Sequence, residues 1–152
     1  MTPSEANDRA LDLLGRADAA YATTLDQRGR PQTRAMFNLR NKVQFPGLSG
    51  FFATHSGRFA VFFTTNTSSP KVAELRSNPA VSVYYCAPKE FLGLMLGGDM
   101  EIVDDGATRN AIWQPEWSMY YPGGPDDPDH TVLRLIPSEA KLYCQFNFAR
   151  LI

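Results

Sequence analysis

Only two cysteines, Cys86 and Cys144, occur in 152 residues, far apart, with no CxxC pair and no histidine at ligand spacing. A disulfide framework and a zinc site are therefore not expected, and both thiols read as small apolar strand residues. Long apolar runs are missing too. The longest, Phe59–Phe63 and Phe91–Leu96, fall far short of the ~20 residues that cross a bilayer. The opening MTPSEANDRALDLL has neither a basic start nor an apolar signal core, so no membrane span and a cytoplasmic location are expected. Excess charge of either sign is absent: 15 basic residues stand against 16 acidic ones, for a net charge of −1. Without a general attraction for polyanions, nucleic acid is not an expected partner, and any anion site must be built locally. There is no repeat, no nucleophile elbow and no GxGxxG turn, which sets aside nucleophilic hydrolysis and a dinucleotide-binding fold. At this length residues 1–152 are expected to form one domain with a core of its own.

Ala6, Ala10, Leu11, Leu13, Leu14 and Ala17 recur at helical spacing after Ser4 and predict a helix over 4–17. Tyr21–Asp26 and Gln32–Arg40 are rich in β-formers and flank the turn Arg28-Gly29-Arg30-Pro31, as in a hairpin. Asn41–Gly57, with Pro46, Gly47, Gly50 and Gly57, reads as a loop or an interrupted strand. Arg58–Thr65 is continuously apolar and short, so it is expected to be a central strand covered on both faces. Ser69-Pro70 suits a helix start, with the Ser69 hydroxyl as cap, and Asn78-Pro79 suits its end. Ala80–Cys86 and Glu90–Val103 read as long strands, with Gly93, Gly97 and Gly98 as bulges or bends. Asp105–Trp117 predicts a helix, Tyr120–His130 a loop, and Thr131–Ile136 and Glu139–Phe148 the closing strands. Six or seven strands with few helices make an α+β domain dominated by an antiparallel sheet or barrel.

One anion site suggests itself. Thr64-Thr65 ends a strand that runs into Ser68-Ser69-Pro70-Lys71 at a helix start. There, free backbone N–H groups and the helix dipole favour a phosphate. Arg34 would add a forked pair of donors and Lys71 a point charge. His55 and His130 have no ligand partners in sequence and read as loop histidines. Asp126-Asp127-Pro128-Asp129 reads as turn or interface chemistry rather than a calcium loop, and no metal is expected. Trp113, Trp117, Tyr120 and Tyr121 suit packing across a subunit interface.

The run Phe62-Phe63-Thr64-Thr65-Asn66-Thr67-Ser68-Ser69-Pro70-Lys71-Val72, with Glu74-Leu75, Asn78-Pro79 and Val81-Ser82-Val83 after it, resembles the signature of the pyridoxamine 5′-phosphate oxidase-like flavoproteins, and most closely their general stress protein 26 branch. Arg34, Gly97, Trp113 and the Tyr121–Pro128 loop match further parts of that pattern, so the resemblance spans most of residues 5–143. It implies a six-stranded split β-barrel of Greek-key type, homodimeric, with FMN between subunits. By the same resemblance Arg34 and Lys71 hold the FMN phosphate and Ser69 adds a hydroxyl. Thr64 and Thr65 line the ribityl chain and ring edge, and the backbone of Ala35, Met36 and Phe37 faces the isoalloxazine. Residues of the partner subunit near Trp113–Tyr121 would cover the flavin.

The chain departs from the true oxidases at its end, where Cys144–Ile152 lacks their Arg-x-His segment, and at Ser69-Pro70-Lys71, where they carry Ser-Arg-Lys. An FMN-dependent oxidoreductase with an unknown small substrate is expected, rather than oxidation of pyridoxamine phosphate. The alternatives are a stress protein that holds flavin without turnover, or a split barrel binding haem, through His55 or His130, or a deazaflavin.

Overall fold

The computed structural model describes residues 1–55 and 57–152. Helix α1 (Pro3–Arg16) starts at a capping box in which the Glu5 N–H donates to Thr2 Oγ1 at 3.2 Å and the Thr2 N–H to the Glu5 carboxylate at 2.6 Å, so Thr2, not Ser4, is the cap. Its apolar stripe buries Ala6, Ala10, Leu13 and Leu14. Two buried asparagines close its other end. Asn38 Nδ2 donates to the carbonyls of Leu14 (2.8 Å) and Ala17 (2.9 Å), and Asn41 Nδ2 donates to that of Ala17 (3.1 Å). They satisfy helix-end carbonyls that would otherwise be orphaned.

Among the described residues eight antiparallel strands follow: β1 (Ala20–Leu25), β2 (Pro31–Met36), β3 (Val61–Asn66), β4 (Ala80–Ala87), β5 (Leu92–Val103), β6 (His130–Leu135), β7 (Glu139–Cys144) and β8 (Asn147–Arg150). Six of them form a continuous path, β2-β1-β4-β5-β6-β3, and β7 and β8 extend the sheet from β5. The long strand β5 pairs with β7 through Leu92–Gly97 and with β6 through Met100–Val103, changing partner at Gly98, which has positive φ. That bend was expected, but Gly93 and Gly97 are not bulges. Both stay in register because a neighbour crosses them: a Cβ on Gly93 would lie 2.0 Å from the Tyr84 hydroxyl, and one on Gly97 2.8 Å from the Glu139 carboxylate.

β3 is not central. It pairs with β6 alone, at one end of the path. Its continuous apolar character has another cause. Val61 and Phe63 enter the main core under α1, while Ala60 and Phe62 enter a second core with Phe45, Phe51, Ile112, Trp117 and Tyr121. The segment expected to be a loop supplies part of that second core as helix α2 (Ser49–Thr54), whose Phe51 packs edge-on to Phe62 with ring centroids 4.9 Å apart. Six residues are too few for a periodic signal, so only the packing fixes this helix.

Helix α3 (Pro70–Ser77) and helix α4 (Gly106–Ile112) follow β3 and β5. Helix α4 is shorter than expected. Gln114 precedes Pro115 and leaves helical geometry, so Trp113 is already extended and a separate 3-10 turn, Pro115–Met119, carries Trp117. The closing segment is two strands rather than one, joined at Gln145-Phe146 with Gln145 at φ +54°; hence eight strands instead of six or seven. No helix among the described residues is long and apolar enough to cross a membrane.

His130 is not an ordinary loop residue. It opens β6, is 2% exposed, and lies against Trp113 (5.2 Å) and Tyr121 (4.7 Å). Its Nδ1 bonds to the Pro125 carbonyl at 2.8 Å and its Nε2 is enclosed without a partner. Because a carbonyl only accepts, Nδ1 carries a proton. Burial lowers its pKa from the ordinary histidine value, and Arg109 adds to that; the Pro125 bond and Asp127 and Asp126 oppose it. A group depressed in the folded state leaves the unfolded chain binding more protons, so its contribution is complete above about pH 6.5 and is lost as pH falls. Chemical denaturation at pH 7.5 and 5.0 is expected to give a steeper loss of stability on acidification for the wild type than for His130→Gln. Equal slopes would mean that another group titrates.

Candidate functional site

The two ends of the strand path, β2 and β3, do not pair with each other. Between them lies a groove of about 480 Å³, lined on one side by Ala35, Met36 and Phe37 and on the other by Thr64, Thr65 and Asn66. The split in the barrel is therefore the candidate site. Lys71 closes one part of it, and Asp18, Gln44, Trp117, Tyr120 and Tyr121 complete the wall.

Local chemistry holds the turn between β3 and α3. The Thr67 N–H donates to the Asp129 carbonyl (2.8 Å), and the Ser68 N–H and Asn66 Nδ2 donate to the Asp129 carboxylate (2.9 and 2.6 Å). These bonds keep the Asp129 carboxyl below the usual carboxylate range, Asn66 contributing most. Asp127 likewise accepts from the Gly123 and Asp129 N–H groups, so the acidic run does the expected turn chemistry. Ser69 occupies the cap position of α3, but its hydroxyl makes no capping bond. It accepts from Lys71 Nζ at 2.7 Å instead, and Thr65 Oγ1 accepts from the same ammonium at 2.8 Å.

Lys71 has no carboxylate partner within ion-pair distance among the described residues. Burial, and then the neighbouring Arg34 charge, hold its pKa below the usual lysine value, with Glu74 opposing. Two of its three N–H donors are engaged by hydroxyls. Arg34 does not line the groove. Its guanidinium turns to Thr24 Oγ1 (2.6 Å), the Gln32 carbonyl (2.9 Å) and the Glu74 carboxylate (3.2 Å), and Thr24 donates in turn to Glu74. Arg34 and Glu74 thus cancel, and the net positive charge belongs to Lys71. Thr64 Oγ1 is buried beside the Tyr121 phenol but makes no hydrogen bond of good geometry. An orphaned hydroxyl on a groove wall wants a ligand atom.

Of the residues expected at the site, Ala35, Met36, Phe37, Thr64, Thr65 and Lys71 line the groove, and Ser69 touches it through Lys71. Trp113 does not line it. Its ring stands behind the wall against Trp117 at 5.9 Å, because the break at Gln114-Pro115 turns it away. Trp117 and Tyr121 line the groove of their own chain, and Trp117 reaches β2 through Phe45, whose ring centroid is 6.2 Å from Trp117 and 6.1 Å from Phe37. Asp18 and Gln44 carry no motif, and Glu74, although inside the signature run, is recognisable as the partner of Arg34 only once β2 and α3 are assembled. Neither His55, stacked on Phe51 at 3.8 Å, nor His130 lines the groove. Among the described residues no three potential ligand side chains cluster to hold a metal.

The architecture recurs in solved structures. A protein related to general stress protein 26 from Clostridium acetobutylicum is 25% identical, over 99% of this chain and 95% of that one, with a TM-score of 0.77. The general stress protein 26 of Bacillus anthracis is 16% identical over 95% and 98% of the two chains, with a TM-score of 0.70. A haem-binding protein from Mycobacterium smegmatis has the same fold at 16% identity and a TM-score of 0.69, over 95% of this chain and 57% of that one. No curated protein matches the chain. The sequence itself matches the family described as pyridoxamine 5′-phosphate oxidase-like over residues 52–147, more than half its length and the stretch that builds β3, the Lys71 turn and the aromatic wall, and the protein belongs to that family.

Proposed function

We propose that residues 1–152 act as one split-barrel domain that binds FMN in the groove between β2 and β3, as a homodimeric oxidoreductase of a small substrate. The observation that carries this is Lys71: a half-buried ammonium with no carboxylate partner, held by two hydroxyls at one end of an aromatic-walled groove. Such a charge suits a phosphate, and the N–H groups at the start of α3 add to it. Lys71, Ser69 and Thr65 would hold the phosphate, with Arg34 behind them, and the orphaned Thr64 hydroxyl would meet a ribityl hydroxyl. Ala35, Met36 and Phe37 would line the ring. Bound flavin supplies the electron-transfer chemistry; the chain binds, orients and excludes water. Haem is the weaker reading because neither histidine reaches the groove.

A second copy is expected on the outer face of the sheet. Tyr21 and Tyr84 are cross-strand partners there, Tyr84 opposes Met95, and Tyr143 opposes Phe148. Tyr21, Tyr84, Tyr143 and Phe148 are 38–54% exposed, an aromatic surface of the kind enriched at subunit contacts.

Absorbance, reduction and reoxidation of the flavin, and light scattering test these statements. The purified protein is expected to have oxidised-flavin absorption bands and to release FMN on denaturation, with Lys71→Ala weakening FMN binding about 10- to 150-fold, as loss of a charge-assisted bond implies. Unchanged affinity would move the phosphate elsewhere, and a Soret band in place of flavin bands would favour haem. Bound flavin that goes through no cycle of reduction by a reductant such as NADPH and reoxidation would favour flavin storage over turnover. In light scattering, Tyr84→Asp with Tyr143→Asp is expected to give a folded monomer. A dimer unaffected by both substitutions would exclude this face.

A further inference from the structure

A second depression, of about 280 Å³, lies between α1 and α2, and none of its lining residues lines the groove. Leu11 and Gly15 of α1, Leu39, and Phe52 of α2 give it apolar walls, and Arg40 and Lys42 bring positive charge. None of these residues belongs to a strand, so the outer sheet face proposed for a second copy does not include them. Both cations stand on a backbone fixed to the end of α1. The Arg40 N–H donates to Oδ1 of Asn38 (3.1 Å), the residue that holds the Leu14 and Ala17 carbonyls, and the Lys42 N–H donates to the Gly15 carbonyl (2.9 Å). The Arg40 guanidinium is fixed as well. It lies over the Phe52 ring, 5.1 Å from the centroid, and its Nη1 donates to the Ala60 and Arg58 carbonyls (2.8 and 3.2 Å). Those bonds occupy Nη1 and leave Nε–H and Nη2–H, the side-on fork that matches a carboxylate, with no acceptor among the described residues and not enclosed. No acidic residue lines the depression, and neither cation forms an ion pair among the described residues. Of the two carboxylates nearest to Leu11 along α1, Asp12 is paired with Arg16 (2.7 Å) and Asp8 pairs with neither cation. Burial holds the Arg40 pKa below the usual arginine value, with the Tyr85 phenol opposing, so no carboxylate offsets its desolvation. One fork and one point charge beside a small apolar wall suit a single planar anion with an apolar body, not a polyanion, for which a chain of net charge −1 has no wider attraction. We infer that the depression between α1 and α2 binds a small apolar monocarboxylate, its carboxylate on the Arg40 fork beside Lys42 and its body against Leu11, Leu39 and Phe52. This site is separate from the groove and does not rest on the flavin reading.

Calorimetric titration of the purified protein with hydrocinnamate and with its neutral isostere hydrocinnamamide tests the site. The carboxylate is expected to bind about tenfold more tightly than the amide, the low end for a charge-assisted pair because the fork is open to solvent, and high salt is expected to narrow the gap. Lys42→Glu and Arg40→Lys are each expected to narrow it further with the amide unchanged, the first by reversing the point charge and the second by removing the fork. Ala53→Trp, which fills the depression, is expected to weaken both ligands, and Lys71→Ala, which removes the cation of the groove, to leave both unchanged. Lys42 and Ala53 are exposed, so these two variants decide the matter should Arg40→Lys fail to fold. Equal affinity for carboxylate and amide, a gap untouched by Lys42→Glu, carboxylate binding that is lost in Lys71→Ala, or no binding of either ligand at millimolar concentration overturns the inference and leaves the flavin reading standing.

Discussion

The unpaired edges of β2 and β3 are the constraint on which the rest of this molecule depends. A closed barrel removes sheet edges by pairing them, and an open one must cover or use them. Here β5 prevents closure. One of its edges is shared between β7 and β6, with the change of partner at Gly98, so the path curls but its first and last strands never meet. The gap is about 480 Å³, and the residues along it come from strands at opposite ends of the path. Binding capacity is therefore a consequence of topology before any side chain is considered.

Charge within the gap follows from how three neighbouring ions are divided. Arg34, Lys71 and Glu74 lie close enough to influence one another. The carboxylate goes to the arginine, whose fork also engages Thr24 and Gln32, and the lysine is left with hydroxyls. Two cations with one anion leave a surplus of one positive charge, and the hydrogen bonding directs that surplus to the groove rather than into the sheet. Glu74 thereby fixes Arg34 while leaving Lys71 without a carboxylate, which is how a chain of net charge −1 presents a local positive charge in the groove.

The sequence made the strands and the Lys71 turn legible for physical reasons. Alternation at β4 and the Ser-Pro start of α3 are local signals, and the run through Lys71 carries a family signature. What it hid depends on long-range packing. The double-faced burial of β3 looks like a central strand because periodicity reports coverage and not hydrogen-bonded neighbours; the cover comes from α1 on one side and Phe51 on the other. Ser69 was read as a cap because spacing cannot tell which donor a hydroxyl will meet. Trp113 and Trp117 are four residues apart and would share a helical face, yet the helix stops at Ile112, ahead of both, and only Trp117 reaches the groove. Asp129 clamps the start of α3 from more than sixty residues away in sequence, a contact that no local pattern encodes.

Strand β2 is thinly held, and it is the element that both proposed partners share. No residue of β2 is buried, and β1 is its only strand neighbour. One flank of this strand faces the groove through Ala35 and Met36, and its register carries Ala35 next to Tyr21 and through Tyr21 to Tyr84 on the outer face. A ligand in the groove and a second copy on the outer face would each supply burial that β2 lacks alone. Anything that binds only the ordered form of a segment stabilises that form by mass action. Two such partners acting on one hairpin are coupled with positive sign and equal magnitude in both directions. On that reading cofactor binding and dimerisation would each favour the other through the shared β1–β2 edge, which lies beside the groove that the open barrel creates.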